Sequence, residues 1–336
     1  MENKKKITIT DVADKAGVSK STVSQYLNKR YQYMSSETKN KIAKVIEELN
    51  FRPNDNARNL KVKKTKVVGI VLANLLHHLS TEIVRVVEER LQSHEIKVFI
   101  CNSDDSPEKE SDYIDLLISK QVDGIIIFPV GNDPKVYNYV ISYGIPLVFI
   151  DRIVDGVTTD CILLDNKAAC RLAVSQLQNK GHENIAFLTL PTDIPVSTRR
   201  ERIEGFKEAM SFYQLEVQEN NVFSVPREEI QGVLEQRFLQ ENKPTAIVAG
   251  NDLVLREVLS FINKVSLSMP NDLALVSIDE VTYSNLYNPS ITTVNQPVKE
   301  MGEKTADILL DRINGKTDDP FRVYRFAPEL IIRGSC

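Results

Sequence analysis

Cysteine is scarce in this chain, with four among 336 residues, at positions 101, 161, 170 and 336, in no paired spacing. A disulfide framework and a cysteine-rich zinc site are thereby disfavoured, and a reduced, cytoplasmic setting fits better. Long hydrophobic runs are also missing. No apolar stretch approaches the roughly 18 residues that a membrane span requires, and the first 15 residues contain no secretory core. Signatures of chemistry are equally thin. No G-x-G-x-x-G, Walker or H-E-x-x-H pattern occurs, and GHENIAF sets His182 beside no cysteine or serine nucleophile motif. The adjacent His77 and His78 lack metal-ligand partners at a recognised spacing. The chain reads as one without membrane insertion, cofactor, metal or catalytic function.

What is present is a folded composition, 42% hydrophobic and 26% charged, of a length suited to about two domains. The net charge of -4 argues against nucleic acid only while it is taken as one number. Residues 1-66 carry 16 Lys or Arg against 7 Asp or Glu, a net of +9, whereas the other 270 residues carry 26 against 39, a net of -13. Charges act on what lies near them, so a basic module is joined to an acidic body.

The basic module opens with ITITDVADKAGVSKSTVSQYLN, residues 7-28. Thr8 suits a helix cap, with Asp11 in the capping-box place, and Val12, Ala13 and Ala16 share one helix side. Gly17 supplies a stop, and Ser19 caps a second helix carrying Val23 and Leu27. The pattern predicts a helix-turn-helix whose second helix exposes Lys20, Ser21, Ser24 and Gln25, all able to bond phosphates or base edges. Ser35 begins a third helix, with Ile42, Val45, Ile46 and Leu49 at helical spacing. On these residues alone, an ordinary three-helix bundle fits as well. In FRPNDNARNLKVKKTK, residues 51-66, Pro53 and Asn54 break the third helix and Leu60 is an isolated large apolar side chain before four lysines. That stretch reads either as a plain linker or as a short helix that orders on contact with DNA or a second copy.

From residue 67 the texture changes. VVGIVL, KVFICN, DGIIIFP and PLVFID are buried-strand runs separated by helical stretches such as Ser80–Gln92 and Glu108–Ser119. The rhythm returns in IAFLTL, TAIVAG and LALVSID, with helices expected at Asp165–Asn179, Arg199–Tyr213 and Leu253–Asn263. Two doubly wound α/β lobes follow, with a ligand cleft at the strand carboxyl ends. Asp151 with Arg152, Asn251 with Asp252, and Asp279 with Glu280 occupy those ends. Each has an alternative reading as a cap or loop bridge, Asp252 above all.

The chain resembles the LacI/GalR family of bacterial transcriptional regulators from about Ile7 to Arg333. The resemblance is carried by TITDVADKAGVSKSTVSQYLN, RPNDNARNL, CNSDDSPEKE, QVDGIII, GIPLVFIDR, VTTDCILLDNKAA, KGHENIAFL, RRERIEGFKEA, PTAIVAGND and SITTVNQPVKEMG. It implies an all-α helix-turn-helix head on an α/β body of two periplasmic-binding-protein-like lobes, acting as a homodimer on double-stranded operator DNA. It also implies three chain crossings between lobes. The resulting division is a head at 1-52, a hinge helix and linker at 53-66, one lobe at 67-161 plus 291-320, and the other at 162-290 plus 321-336.

Residue by residue, the resemblance makes Lys20, Ser21 and Gln25 major-groove readers, with Thr22 and Ser24 nearer the backbone and Thr8 and Ser19 at the helix starts. Many members have arginine where this chain has Gln25, a change that favours an adenine-type contact. Lys29, Tyr31 and Tyr33 in KRYQYM add phosphate contacts. Asn54, Ala57, Leu60 and Lys64 belong to the hinge, with Leu60 at the position that wedges into the minor groove. In the body, Asp151, Arg202, Asn251 and Asp279 match effector-pocket positions. The first loop departs from the usual D-x-x-N-P-F-F, reading NLLHHLS from Asn74 to Ser80: the aromatic pair is absent, His77, His78 and Ser80 add polar groups, and Asn74, His77, His78 and Ser80 join the expected effector set. The implied effector is small and hydrophilic, a sugar or sugar acid, rather than a purine that would profit from stacking. The expected protein is a cytoplasmic repressor of carbohydrate-utilisation genes, resident on the nucleoid when bound to DNA. Control by a co-repressor or a phosphocarrier protein is the alternative, and an enzyme or solute-binding protein on the two-lobed fold a remote one.

Overall fold

The computed structural model describes residues 9–27, 30–31, 34–49, 64–192, 196–316 and 319–336. The chain divides into two compact units, residues 1–65 and 66–336. Thr8, Lys29, Tyr33, Asn54, Ala57, Leu60 and the expected hinge helix lie outside the described residues.

The first unit holds three helices: α1 (Ile9–Ala16), α2 (Lys20–Leu27) and α3 (Ser36–Glu48). Gly17 ends α1 with φ of 61°, a left-handed backbone that costs glycine nothing. Ser19 then caps α2 by accepting the Thr22 N–H at 3.1 Å, and Ser35 caps α3 by accepting the Thr38 N–H at 3.1 Å. Val12, Ala13, Ala16, Val23, Ile42 and Val45 form the core, flanked by Leu27, Ile46 and Leu49. The apolar spacing of all three helices therefore converges on one small interior.

The second unit begins where the Lys66 N–H donates to Asp123 at 2.7 Å. Its first stretch runs β1 (Val67–Leu72), α4 (His78–Gln92), β2 (Lys97–Asn102), α5 (Pro107–Ser119), β3 (Gly124–Ile127), α6 (Pro134–Ser142), β4 (Leu147–Ile150) and β5 (Asp160–Leu164). The chain continues with α7 (Asn166–Asn179), β6 (Ile185–Thr189), α8 (Ser197–Phe212), β7 (Val222–Ser224), α9 (Ile230–Phe238), β8 (Ala246–Ala249), α10 (Asp252–Lys264), β9 (Ala274–Ile278) and β10 (Thr292–Asn295). It closes with α11 (Val298–Ile313), β11 (Val323–Phe326) and β12 (Glu329–Ile331).

Two six-stranded sheets result, ordered β2-β1-β3-β4-β5-β11 and β7-β6-β8-β9-β10-β12. The order is the same in both lobes, but β11 runs parallel to β5 while β12 runs antiparallel to β10. Alternate side chains feed opposite faces. Val68, Ile70 and Leu72 meet α4 and α11, whereas Val71, Ile125 and Ile127 meet α5 and α6. Fully burying one such side chain is worth about 1.5–3 kcal/mol, and covering both faces explains why the strands are nearly continuous apolar runs.

The pairing moves the expected lobe boundaries. Because β5 extends the first sheet through Leu164, the first crossing falls at Asp165 rather than after Cys161. Because β10 pairs with β9, residues 292–295 belong to the second lobe, not the first. Because β11 pairs with β5, residues 323–326 belong to the first lobe, not the second. Arg312 on α11 adds an ion pair at 2.9 Å to Asp160 at the start of β5, tying that helix to the first lobe.

Candidate functional sites in the head and the inter-lobe cleft

On α2, Val23 is buried and Tyr26 and Leu27 pack on the core, so the opposite face carries Lys20, Ser21, Ser24 and Gln25. Lys20 and Ser21 are exposed, while Ser24 and Gln25 are half-buried. The Ser19 hydroxyl also meets those of Ser21 at 2.6 Å and Thr22 at 2.8 Å. Ser19 and Thr22 thus have a structural task besides any contact with a partner. Tyr31 stands edge-on to Tyr26, with centroids 5.7 Å apart, and beneath the Lys39 ammonium at 4.1 Å, which fixes it against the head. Lys64 is half-buried at the end of this unit.

In the body, the carboxyl ends of the two sheets face a small cavity lined by residues of both lobes. Six of the eight effector candidates line it: His77, Ser80, Asp151, Arg202, Asn251 and Asp279. Asn74 and His78 do not. Asn74 donates to Asp105 at 2.8 Å and accepts the Leu76 N–H at 2.9 Å, shaping the loop before α4. His78 lies in a neighbouring groove with Asp279 and Gln296.

The two aspartates occupy matching places, Asp151 after β4 and Asp279 after β9, and both adopt left-handed backbone, φ 67° and 82°. Such conformations are costly for a non-glycine residue and persist where the surroundings fix them. Asp279 accepts from Gln296 at 2.5 Å and lies 3.9 Å from Arg202. Burial pushes the Asp279 carboxyl above its usual range; Arg202 opposes the shift, and the nearby charges of Asp252 and Asp151 add to it. Arg202 is itself buried on α8. Its Nε donates to Asn166 at 2.9 Å and its Nη1 to the Gly250 carbonyl at 2.6 Å. Gly250 permits that approach, since a Cβ there would meet the Leu188 carbonyl oxygen at 2.5 Å. Asn251 caps α10, accepting the Val254 N–H at 2.9 Å.

Asp252 proves to be more than a helix cap. It bridges the lobes: Oδ1 meets His77 Nδ1 at 2.8 Å, and Oδ2 accepts the His78 N–H at 2.8 Å. Burial would raise its pKa, but the bonds from His77, His78 and Leu253 outweigh burial and hold the carboxyl below its usual value. Nearer the crossings, Thr198 donates to the Asp151 carbonyl at 2.8 Å and the Ile153 N–H donates to Ser197 at 3.0 Å. Arg325 of the first lobe grips Glu201 of the second through two bonds of 2.7 and 3.0 Å. The sequence places Arg152 and Asp252 at strand ends beside the cleft without assigning them to the effector set, and it gives no sign of Thr198 or Arg199 as cavity walls. The only signal for Arg152 was its place beside Asp151 at a strand end.

Among the described residues, no group of His, Cys, Asp and Glu is arranged to hold a metal ion, and no helix is long and apolar enough to cross a membrane.

Comparison with known proteins bears on both units. Residues 8–54 match the family described as bacterial regulatory proteins, lacI family. Residues 65–327 match that of periplasmic binding proteins and the sugar binding domain of the LacI family. The probable HTH-type transcriptional regulator EndR of Paenibacillus polymyxa is 43% identical over 313 residues, 93% of this chain and 92% of its own. Among solved structures, the Lac repressor bound to ONPG in its repressed state superposes with a TM-score of 0.84 at 25% identity, covering 99% of this chain and 100% of that one. A complex of the transcriptional regulator CelR with cellobiose gives a TM-score of 0.73 at 25% identity, covering 98% and 100%. The helix-turn-helix head and the paired lobes are thus parts of one known design, a DNA-binding transcriptional regulator that senses carbohydrate rather than an enzyme, and the chain belongs to the LacI family of bacterial regulatory proteins.

Proposed function

We propose that the protein is a homodimeric repressor of carbohydrate-utilisation genes, released from its operator by a small sugar or sugar acid. The observation that carries this reading is the bridge from His77 and His78 to Asp252, which joins the lobes beside a cavity walled by both. A ligand that bonds both walls differs in affinity between open and closed lobes, and that difference biases the lobe angle. In a dimer the angle sets the spacing of the two heads, and so their fit to a two-fold operator. The complex of CelR with cellobiose supports the reading, since a regulator of this fold there holds a sugar.

In this reading Lys20, Ser21 and Gln25 contact bases, while Thr22, Ser24 and Lys64 contact the backbone. Thr8, Ser19, Lys29, Tyr31, Tyr33, Asn54, Ala57 and Leu60 complete the DNA-binding set. The protein works in the cytoplasm, on the nucleoid. Fluorescence anisotropy of an operator duplex, with and without a panel of sugars and sugar acids, tests the proposal. A ligand that weakens operator binding supports it, and an operator affinity indifferent to the whole panel refutes induction. Sedimentation of the complex at one dimer per duplex is the matching test of assembly.

A further inference from the structure

We infer that the cavity takes an anionic effector, a small polyhydroxylated ligand bearing a carboxylate or phosphate that Arg152 of the first lobe receives. The inference rests on the reading of the cavity as the effector site and commits to the ligand's charge.

Arg152 follows Asp151 at the end of β4, lines the cavity and is only 6% exposed. Its Nη1 donates to the Pro129 carbonyl at 3.0 Å, which anchors one edge of the guanidinium. Its buried Nε has no hydrogen-bond partner among the described residues, the Asp151 carboxylate lying 3.4 Å away outside bonding geometry. A buried charged donor without an acceptor costs free energy that an acidic ligand group would recover.

The charges around it point the same way. Three guanidiniums, those of Arg152, Arg199 and Arg202, line the cavity with only two carboxylates, Asp151 and Asp279. Arg202 is occupied by Asn166, Gly250 and Asp279, and Arg199 donates to the Pro191 carbonyl at 2.7 Å. Two further acids lie near the cavity without lining it, and each directs its hydrogen bonds into the protein. Asp252 is engaged by His77 and two backbone N–H groups. Glu110, behind Arg152, accepts from the Tyr137 hydroxyl at 2.5 Å and from the Val130 N–H at 2.9 Å. Phe128 is the one phenyl ring in the wall and is itself only 1% exposed, so the wall offers little face to stack upon. Selection by charge and hydrogen bonds, not by ring stacking, is what remains.

The test is titration calorimetry of the full chain with matched series on glucose, galactose and mannose. Each series comprises the neutral sugar, its uronate and its 6-phosphate, which separates carboxylate from phosphate recognition. In at least one series an acid form should bind at least about tenfold tighter than its neutral parent. Arg152→Gln should weaken that acid by about tenfold or more, and Arg152→Lys should recover part of the loss, since lysine keeps charge without the planar fork. Circular dichroism melts report whether the variants fold, and the wild-type comparison of acid with neutral sugar stands without them. A neutral sugar binding as tightly as its acids, or an acid affinity indifferent to Arg152→Gln in a folded variant, overturns the anionic assignment while leaving the cavity an effector site. If no member of any series binds, the effector-site reading fails along with it.

Discussion

Replacing Asp252 by Asn should open the lobes. The substitution preserves size and hydrogen-bonding polarity but exchanges one carboxylate oxygen for a donor. Asp252 now accepts from His77 Nδ1, the His78 N–H and the Leu253 N–H, each at 2.8 Å. An amide cannot satisfy all three, and while His77 keeps its proton on Nδ1 a donor from the first lobe faces the amide NH2 in either orientation. A buried hydrogen bond to a charged group contributes about 1.5–3 kcal/mol. Loss of one such bond therefore shifts the closed-to-open ratio by roughly 10- to 150-fold. Because the four native cysteines are buried, spin labels can be directed to introduced ones, such as Glu88→Cys on α4 and Ser260→Cys on α10. Pulsed electron resonance should then show a longer inter-lobe distance gaining population in the Asn variant. The pH dependence has a defined sign. The Asp252 pKa is depressed in the folded chain, so its stabilising effect is full above the unfolded value near 3.8 and is lost as pH falls through the lower folded value. The Asn variant should lack that acid-side loss. A distance distribution unchanged by Asp252→Asn would refute the bridge as the element that holds the lobes together.

Three further outcomes follow from the same geometry. Gln25→Arg should move the preference at one half-site position from adenine toward guanine by about 1–3 kcal/mol in a binding-site selection, and an unchanged preference would remove Gln25 from the base readers. Lys64→Ala should weaken binding alike on all sequences, with a salt slope shallower by about one, as operator titrations at several salt concentrations would report. Arg202→Ala should abolish the effector response. It should also lower thermal stability, since removing one partner of a buried charge pair costs about 3–5 kcal/mol and would strand Asn166, Gly250 and Asp279.

Much of this architecture is legible in the sequence because local patterns determine it. VVGIVL, GIII and AIVA are buried on both faces, and the expected helices begin and end within about two residues of those observed for α4, α5, α7, α8 and α10. Residues 323–331 are not legible in that way. VYRF and ELI are short edge strands, and only tertiary pairing decides which sheet each joins. The cavity is similarly divided. Asp151, Asn251 and Asp279 announce themselves at strand ends, whereas the His77–Asp252 bridge spans 175 residues of sequence and exists only when two separately folded sheets face each other. Arg152 looks like any strand-end residue until its surroundings leave one nitrogen without an acceptor.

The placement of β11 and β12 has a consequence for biosynthesis. Residues 323–331 supply the outermost strand of each sheet, β11 beside β5 and β12 beside β10. Just beyond them, Ser335 accepts the Thr292 N–H at 2.8 Å and donates to the Leu275 carbonyl at 2.6 Å. Until this segment leaves the ribosome, neither lobe can finish folding, although most of each was synthesised long before. The nascent body therefore waits with β5 and β10, strands buried in the finished body, standing as sheet edges, the form of exposed backbone most prone to pairing with another chain. Chains truncated before Val323 should accumulate as aggregates rather than as one folded lobe beside one unfolded lobe.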